Sequence, residues 1–224
     1  LVATPPLLEK KMGNDWFYRL ESKAQNWGWR IFTNFLPLYF TEKHFENLYR
    51  QKQDPWNYEH SHFEREKYLK TLQAIPEEVE TIWEIGCGEG VFTQLLLEKG
   101  KRVRGVDISP TALSRARERL KDFDDRVCLQ KLNIAREDIE GTFDLILASE
   151  ILYYLGGKDV LQPLEEKFFR HLRPFGYLLL CHFYPSGKII HNLYQENHRF
   201  YKVFEEVTYH PHRDYIITLL KRNG

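Results

Sequence analysis

The sequence predicts an α/β fold: a seven-stranded, mostly parallel sheet with helices on both faces and an antiparallel hairpin at its C-terminal end. Three observations carry that expectation. From residue 80 onward, short apolar runs alternate with helical patterns, which is the signature of strands joined by crossover helices. Glycines cluster directly after the first apolar run. The last two runs are separated only by His210-Pro211-His212-Arg213-Asp214, too little chain for a crossover helix, so those strands must pair antiparallel.

The elements follow in order. Ser61-His62-Phe63-Glu64 fits a capping box, and Tyr68, Leu69, Leu72 and Ile75 then recur at helical spacing up to a stop at Pro76. Thr81 to Ile85 is the first strand. Val91 to Lys99 is helical with Gly100 at its C-terminal cap. Val103 to Ile108 is the second strand. Ser109 then caps a helix that carries Pro110 at its first position and runs through Leu120. Val127 to Leu132 and Phe143 to Ala148 are strands, Val160 to Leu172 a helix, and Tyr177 to Phe183 a fifth strand. Tyr201 to Tyr209 and Tyr215 to Lys221 form the closing hairpin. The crossover pattern is Rossmann-like.

A chain of 224 residues suits one sizeable core with an appendage. Residues 1–53 read as a helical or irregular extension, rich in aromatics such as Trp16, Trp27, Trp29 and Phe40, that serves as a substrate lid or cap. Residues 54–224 form the α/β domain. Lys+Arg and Asp+Glu both number 32, and that zero net charge removes the electrostatic footprint of a duplex nucleic-acid binder. Cys87, Cys128 and Cys181 cannot all pair with one another, which favours a reducing, cytoplasmic setting. The start of the chain lacks a signal-peptide layout, and the tract Trp29 to Phe40 is too broken by Arg30, Asn34 and Pro37 for a membrane span. Nine histidines include the pairs His60/His62 and His210/His212, but no spacing typical of metal ligands, so no metal site is expected.

The chemistry concentrates at the carboxyl edge of the predicted sheet. Glu84-Ile85-Gly86-Cys87-Gly88-Glu89-Gly90 follows the first strand, where glycines let the backbone turn tightly and approach a ligand. Its spacing is Gly-x-Gly-x-Gly, whereas a pyrophosphate cradle wants Gly-x-Gly-x-x-Gly. Asp107, with Ile108 beside it, ends the second strand, where an acidic side chain accepts both hydroxyls of a ribose. A nucleoside cofactor without phosphate, S-adenosylmethionine, fits this pair of features. At the end of the third strand, Asn133 and Ile134 either meet an adenine ring or form an ordinary turn. Ser149-Glu150, at the tip of the fourth strand, lies beside the methionine part. Glu150 there contacts the ammonium, orients a substrate, or serves as a helix-start carboxylate. His182 ends the fifth strand as either a general base or a buried histidine bonded to backbone. Tyr153, Tyr154 and His191 are candidate walls of a substrate pocket, or core.

Trp83 to Gly90, Val106-Asp107, Phe143 to Leu155 and Leu172-Arg173-Pro174 resemble the successive motifs of class I methyltransferases. Asp54-Pro55-Trp56-Asn57-Tyr58, Ser61, Glu64, Lys67-Tyr68 and Thr71-Leu72 are similar to the opening of the rhizobial nodulation protein S family, and Phe143 to Leu155 is close to that family's fourth motif. The resemblance covers roughly residues 54 to 180. It implies methyl transfer from S-adenosylmethionine to N or O of a small-molecule acceptor, an amino sugar or secondary metabolite, by residues 54–224. The family N-methylates the free amine of a deacetylated chitooligosaccharide. By resemblance Trp56 and Tyr58 fold over the cofactor, and Lys67 meets the methionine carboxylate or is a solvated helix lysine. Asn133 departs from the acidic residue common in such motifs, and Phe175 replaces the first glycine of the usual Leu-Arg-Pro-Gly-Gly. A protein or RNA methyltransferase and a non-catalytic cofactor-binding domain are the alternatives.

Overall fold

The computed structural model describes residues 42–196 and 198–224. The aromatics between Trp16 and Phe40, expected in a lid or cap, lie outside the described residues. Six helices and seven strands are described: α1 (Glu42–Gln51), α2 (His62–Gln73), β1 (Thr81–Ile85), α3 (Val91–Glu98), β2 (Arg102–Asp107), α4 (Pro110–Arg119), β3 (Val127–Lys131), β4 (Phe143–Ser149), α5 (Lys158–His171), β5 (Leu172–Phe183), α6 (Ser186–Leu193), β6 (Phe200–Thr208) and β7 (Tyr215–Arg222). One sheet holds all seven strands in the order β3-β2-β1-β4-β5-β7-β6. β1 to β5 run parallel to one another, and β7 pairs antiparallel with both β5 and β6. The predicted class and the closing hairpin are therefore those observed.

Apolar side chains on both faces explain why the central strands read as continuous hydrophobic runs. Ile82, Leu145 and Leu147 pack with Phe63 and Tyr68 of α2 and with Phe92 and Leu96 of α3. Their alternating neighbours Trp83, Ile85, Ile146 and Ala148 pack on the other face with Phe168 of α5 and Ile190 of α6. Strand period two thus splits one apolar run into two cores.

Capping is as the side chains dictate at α4, where Ser109 Oγ accepts from Ala112 N at 3.1 Å and Pro110 opens the helix. At α2 only half of the expected box forms. Ser61 Oγ accepts from Glu64 N at 3.2 Å, but the Glu64 carboxylate turns to Lys67 and Ser61 N donates to Asn57 O at 3.0 Å. The buried face of α2 also differs from its apolar spacing: Leu69 is 42% exposed, whereas Lys67 and Thr71 are fully buried. Helix α6 has no counterpart among the predicted elements, and β5 begins at Leu172 rather than Tyr177. Among the described residues no helix is long and apolar enough to cross a membrane, and no cluster of three or more His, Cys, Asp or Glu is placed to hold a metal ion.

Candidate active site

Strand β1 lies between β2 and β4, so the chain leaves neighbouring strand ends in opposite directions and opens a crevice at their carboxyl ends. Three predicted segments meet there: Gly86 to Glu89 after β1, Asp107 at the end of β2, and Ser149-Glu150 at the end of β4. Gly88 has φ +54°, a left-handed conformation costly for other residues, and its N–H donates to Asp107 Oδ2 at 2.9 Å. Asp107 Oδ1 accepts from Ser109 N, also at 2.9 Å. The carboxylate is thus aimed by backbone amides, with Ile108 adding to Gly88 and Ser109, and keeps acceptor capacity to spare. Below it, Glu84 Oε2 accepts from Thr93 Oγ1 at 2.6 Å. Burial pushes Glu84 up to about 8 against that hydrogen bond, and burial also raises Asp107 against its backbone donors.

Aromatic rings cover the crevice. Phe45 and Tyr49 come from α1, Trp56 and Tyr58 from the segment after it, Tyr68 from α2 and Tyr154 from the turn after β4. Trp56 stacks on Tyr58 at 5.8 Å, Tyr49 meets Trp56 edge-on at 5.4 Å, and Phe45 meets Tyr154 at 5.5 Å. The Asp54 carboxylate shapes the turn that presents Trp56, accepting from Tyr58 N at 2.7 Å and Glu59 N at 2.9 Å. Helix α1 is clasped to the start of α4. Glu46 accepts from Ser109 Oγ and Thr111 Oγ1, each at 2.7 Å, while Arg115 donates to Tyr49 O at 2.8 Å and pairs with Glu89. The expected domain boundary at 53/54 therefore falls just after a helix held against the α/β body.

The cavity beneath these rings measures about 90 Å³. Its walls include four carboxylates (Glu84, Glu89, Asp107 and Glu150) and, among the described residues, no lysine, arginine or histidine. Glu89 and Glu150 are already paired with cations behind the wall, so the lining offers a pyrophosphate no basic partner, and it offers a positively charged ligand end the carboxyl groups of Asp107 and Glu84.

Beside it lies a smaller recess walled by Trp56, Tyr58, Glu64, Glu150, Tyr153, Tyr154 and Arg213. Glu150 divides the two spaces from a left-handed backbone position, φ +53°, a strain that persists only where surroundings over-determine it. Those surroundings are buried charges. Glu150 Oε1 lies 2.9 Å from Lys67 Nζ, which also pairs with Glu64 at 2.7 Å. Glu150 Oε2 accepts from the Tyr153 hydroxyl and from Phe183 N at 3.3 Å, and Arg213 stands 3.8 Å away. Burial works to neutralise this cluster, yet Lys67 and Arg213 hold the Glu150 carboxyl well below the usual range. The two glutamates in turn raise Lys67 against its own desolvation.

Of the predicted site residues, Trp56, Tyr58, Glu84, Gly86, Cys87, Gly88, Asp107, Ile108, Ser149, Glu150 and Tyr154 line the cleft, and Tyr153 lines the recess. Six stand elsewhere. Lys67 is fully buried behind Glu150, so it is neither a solvated lysine nor at the cleft wall. Gly90 caps α3, where a Cβ would meet Ala116 and Leu120, so close helix packing requires it. Asn133 makes a turn, its Oδ1 accepting from Ala135 N at 3.2 Å, and Ile134 is core. His182 and His191 are fully buried and face each other rather than the cleft. Phe45, Tyr49, Tyr68, Ile151 and Arg213 belong to the site without having been predicted, and Glu89 belongs to it as part of the predicted glycine segment. The i, i+4 spacing of Phe45 and Tyr49 is the one local signal that marks two of them as sharing a helix face.

The nodulation protein S (NodS) family model matches residues 42–183, more than half of the chain. The chain belongs to this family. It is 27% identical over 129 residues to nodulation protein S of Sinorhizobium fredii, covering 57% of this chain and 59% of that protein. To nodulation protein S of Bradyrhizobium diazoefficiens it is 32% identical over 111 residues, covering 49% of this chain and 52% of the relative. The chain thus spans somewhat over half the length of these curated relatives. The crystal structure of N-methyltransferase NodS from Bradyrhizobium japonicum WM9 in complex with S-adenosyl-l-homocysteine superposes with a TM-score of 0.73 at 22% identity. That superposition covers 82% of this chain and 98% of that one, and at such identity it is a likeness of fold.

Proposed function

We propose that this chain is an S-adenosylmethionine-dependent methyltransferase that transfers a methyl group to N or O of a small-molecule acceptor by direct displacement. The observation that carries the reading is the crevice at the sheet's switch point, lined by four carboxyl groups and, among the described residues, no basic side chain. Family membership and the relative's complex with S-adenosyl-l-homocysteine support it.

In this reading Asp107 holds the ribose hydroxyls through the acceptor capacity its backbone donors leave free. Glu84 faces the ammonium end, and Gly86 and Gly88 let the backbone pass close to the ligand. S-adenosylmethionine, when bound, supplies an electrophilic methyl on a sulfonium. The protein's part is to align the acceptor with it and exclude water, which in well-oriented systems lowers a barrier by about 7–11 kcal/mol. The aromatic cover excludes water, with α1 as part of a cap formed by residues 1–53. The acceptor's nucleophilic atom approaches past Trp56, Tyr58 and Tyr154 on the Glu150 side, where the recess of about 10 Å³ takes a group no larger than a water. An aromatic-walled recess favours a small molecule, an amino sugar or secondary metabolite, over protein or RNA. A reducing, cytoplasmic setting belongs to the same reading, supported by the three free thiols.

Calorimetry with S-adenosylhomocysteine tests it. The full chain should bind, and Asp107→Ala should weaken binding by about 1–3 kcal/mol for loss of a charged acceptor. Absence of binding by folded wild-type protein would remove the proposal. Product formation against a panel of amines, sugars and phenols then identifies the acceptor.

A further inference from the structure

Five groups form a continuous buried hydrogen-bond chain away from the cleft. Leu152 N donates to His182 Nε2 at 3.2 Å, and His182 Nδ1 lies 2.9 Å from His191 Nε2. His191 Nδ1 lies 2.7 Å from Thr218 Oγ1, which donates to Glu205 Oε2 at 3.2 Å. His182, His191 and Thr218 are fully buried, and Glu205 is tied near the surface by Lys188 and Lys202.

The two ends permit only one direction. A backbone N–H can donate but not accept, so His182 Nε2 must be bare and its proton must sit on Nδ1. That proton points at His191 Nε2, which must be bare in turn, leaving the His191 proton on Nδ1 to reach Thr218. The single hydroxyl proton of Thr218 then goes to Glu205. At that end a carboxylate kept charged by two lysines accepts but does not donate. Both rings are neutral, as burial requires: it lowers His182 to about 4 and holds His191 well below the usual histidine value.

Leu152 opens the short 3-10 turn Leu152–Tyr154, directly after Glu150 and Ile151. Ile151 Cγ1 stands 3.0 Å from where a Cβ of Gly86 would be, so this turn also packs on the glycine loop. Gly187 shows how closely α6 must approach to bring His191 within reach: a Cβ there would come within 2.6 Å of His182 Cβ.

We propose that Leu152, His182, His191, Thr218 and Glu205 form a one-way hydrogen-bond relay that fixes the turn carrying Glu150, Ile151 and Tyr154 beside the cleft, with His182 a positioning residue. His182 cannot take up a proton at Nε2 without expelling the Leu152 amide, so it does not serve as a base. Only the ligand-binding measurement below rests on the methyltransferase reading.

Histidine-selective 15N labelling of the full chain tests the direction of the relay. At neutral pH both rings should be uncharged with the proton on Nδ1; an Nε2–H tautomer or a charged ring at either position overturns the proposal. Two variants test the positioning. His182→Gln keeps an acceptor near the Nε2 position, whereas His182→Asn does not reach it. Leu152 amide exchange should stay within ~3-fold of wild type in the first and rise about 10-fold or more in the second. S-adenosylhomocysteine affinity should follow the same order, falling ~3–10-fold only in His182→Asn. Equal behaviour of the two variants sinks the positioning role. Loss of ligand binding already in the wild type would count against the cofactor reading and leave the exchange result standing. Should a variant not fold, the wild-type tautomers decide.

Discussion

Lys67 Nζ lies 2.9 Å from Glu150 Oε1 in a pair with no exposed cation and almost no exposed carboxylate. Breaking a buried pair by removing one partner leaves the other charged in a poorly solvating interior, at a cost of about 3–5 kcal/mol. Lys67→Met should therefore lose about that much stability in urea unfolding at neutral pH. Adding Glu150→Gln should cost less than the two single changes summed, because each removes the other's reason for being charged. The pH dependence has a definite sign. Glu150 is held below its unfolded value, so its contribution is present above about pH 4.3 and is lost as pH falls through the folded value. The deficit of Lys67→Met should be largest at neutral pH and shrink in acid. A pH-independent deficit would contradict the charge assignment.

Glu84 behaves in the opposite way. Its folded value of about 8 exceeds the ordinary 4.5, so between those limits the ligand-free folded state holds an extra proton. Stability should then decline as pH rises from 4.5 towards 8. An ammonium brought against this side chain favours the carboxylate. Binding of S-adenosylmethionine at neutral pH should release up to about one proton per site, and Glu84→Gln should release none. Calorimetric heats measured in buffers of different ionisation enthalpy give the count. Identical heats in every buffer would place the ammonium elsewhere.

The parts of this architecture that are legible in the sequence are those encoded locally. Strands buried on both faces must be apolar throughout, so β1, β4 and β5 announce themselves, and Ser109-Pro110 marks a helix start by geometry that needs no partner. The glycine loop and Asp107 are readable because one strand length separates them along the same sheet edge. Lys67 is not, because the groups that bury it, Glu150 and Arg213, arrive from distant parts of the chain; its pattern of neighbours points to Leu69 instead. His182 is ambiguous for the same reason. Its strand-end position predicts closeness to the site, but the direction of its ring depends on α6, a helix with no counterpart among the predicted elements. Asn133 resolves as a turn because its own side chain satisfies the Ala135 amide.

Gly88 is set between two demands. Its φ of +54° and a Cβ position 2.9 Å from Tyr49 Oη mean that a side chain there must both strain the backbone and displace a buried ring. Gly88→Ala should weaken S-adenosylhomocysteine binding by about 1–3 kcal/mol, from the left-handed backbone and the overpacking together. Removing the hydroxyl with Tyr49→Phe should return part of that loss. If the double variant binds no better than Gly88→Ala alone, the contact with α1 is not what limits the site.

The clasp between α1 and α4 is the most direct handle on the aromatic cover. Glu46 accepts from Ser109 Oγ, Thr111 Oγ1 and Thr111 N at the start of α4, where backbone amides have no helical partners and negative charge is favoured. Burial opposes its charge, but the hydrogen bonds from Thr111 and Ser109 prevail and lower it to about 2. The clasp should then be fully made above the unfolded value near 4.5 and be lost as pH falls through about 2. Hydrogen exchange of α1, corrected for intrinsic rate and referenced to β4, should show constant protection across the neutral range. Glu46→Ala removes both the cap and the charge, and should lower that protection by about 1–2 kcal/mol while leaving β4 unchanged. Because Phe45 and Tyr49 flank Glu46 on the same helix, the variant should also release bound S-adenosylhomocysteine faster, in proportion to the lost protection. Unaltered release from an α1 that exchanges freely would show that the cover closes through Trp56 and Tyr58 instead.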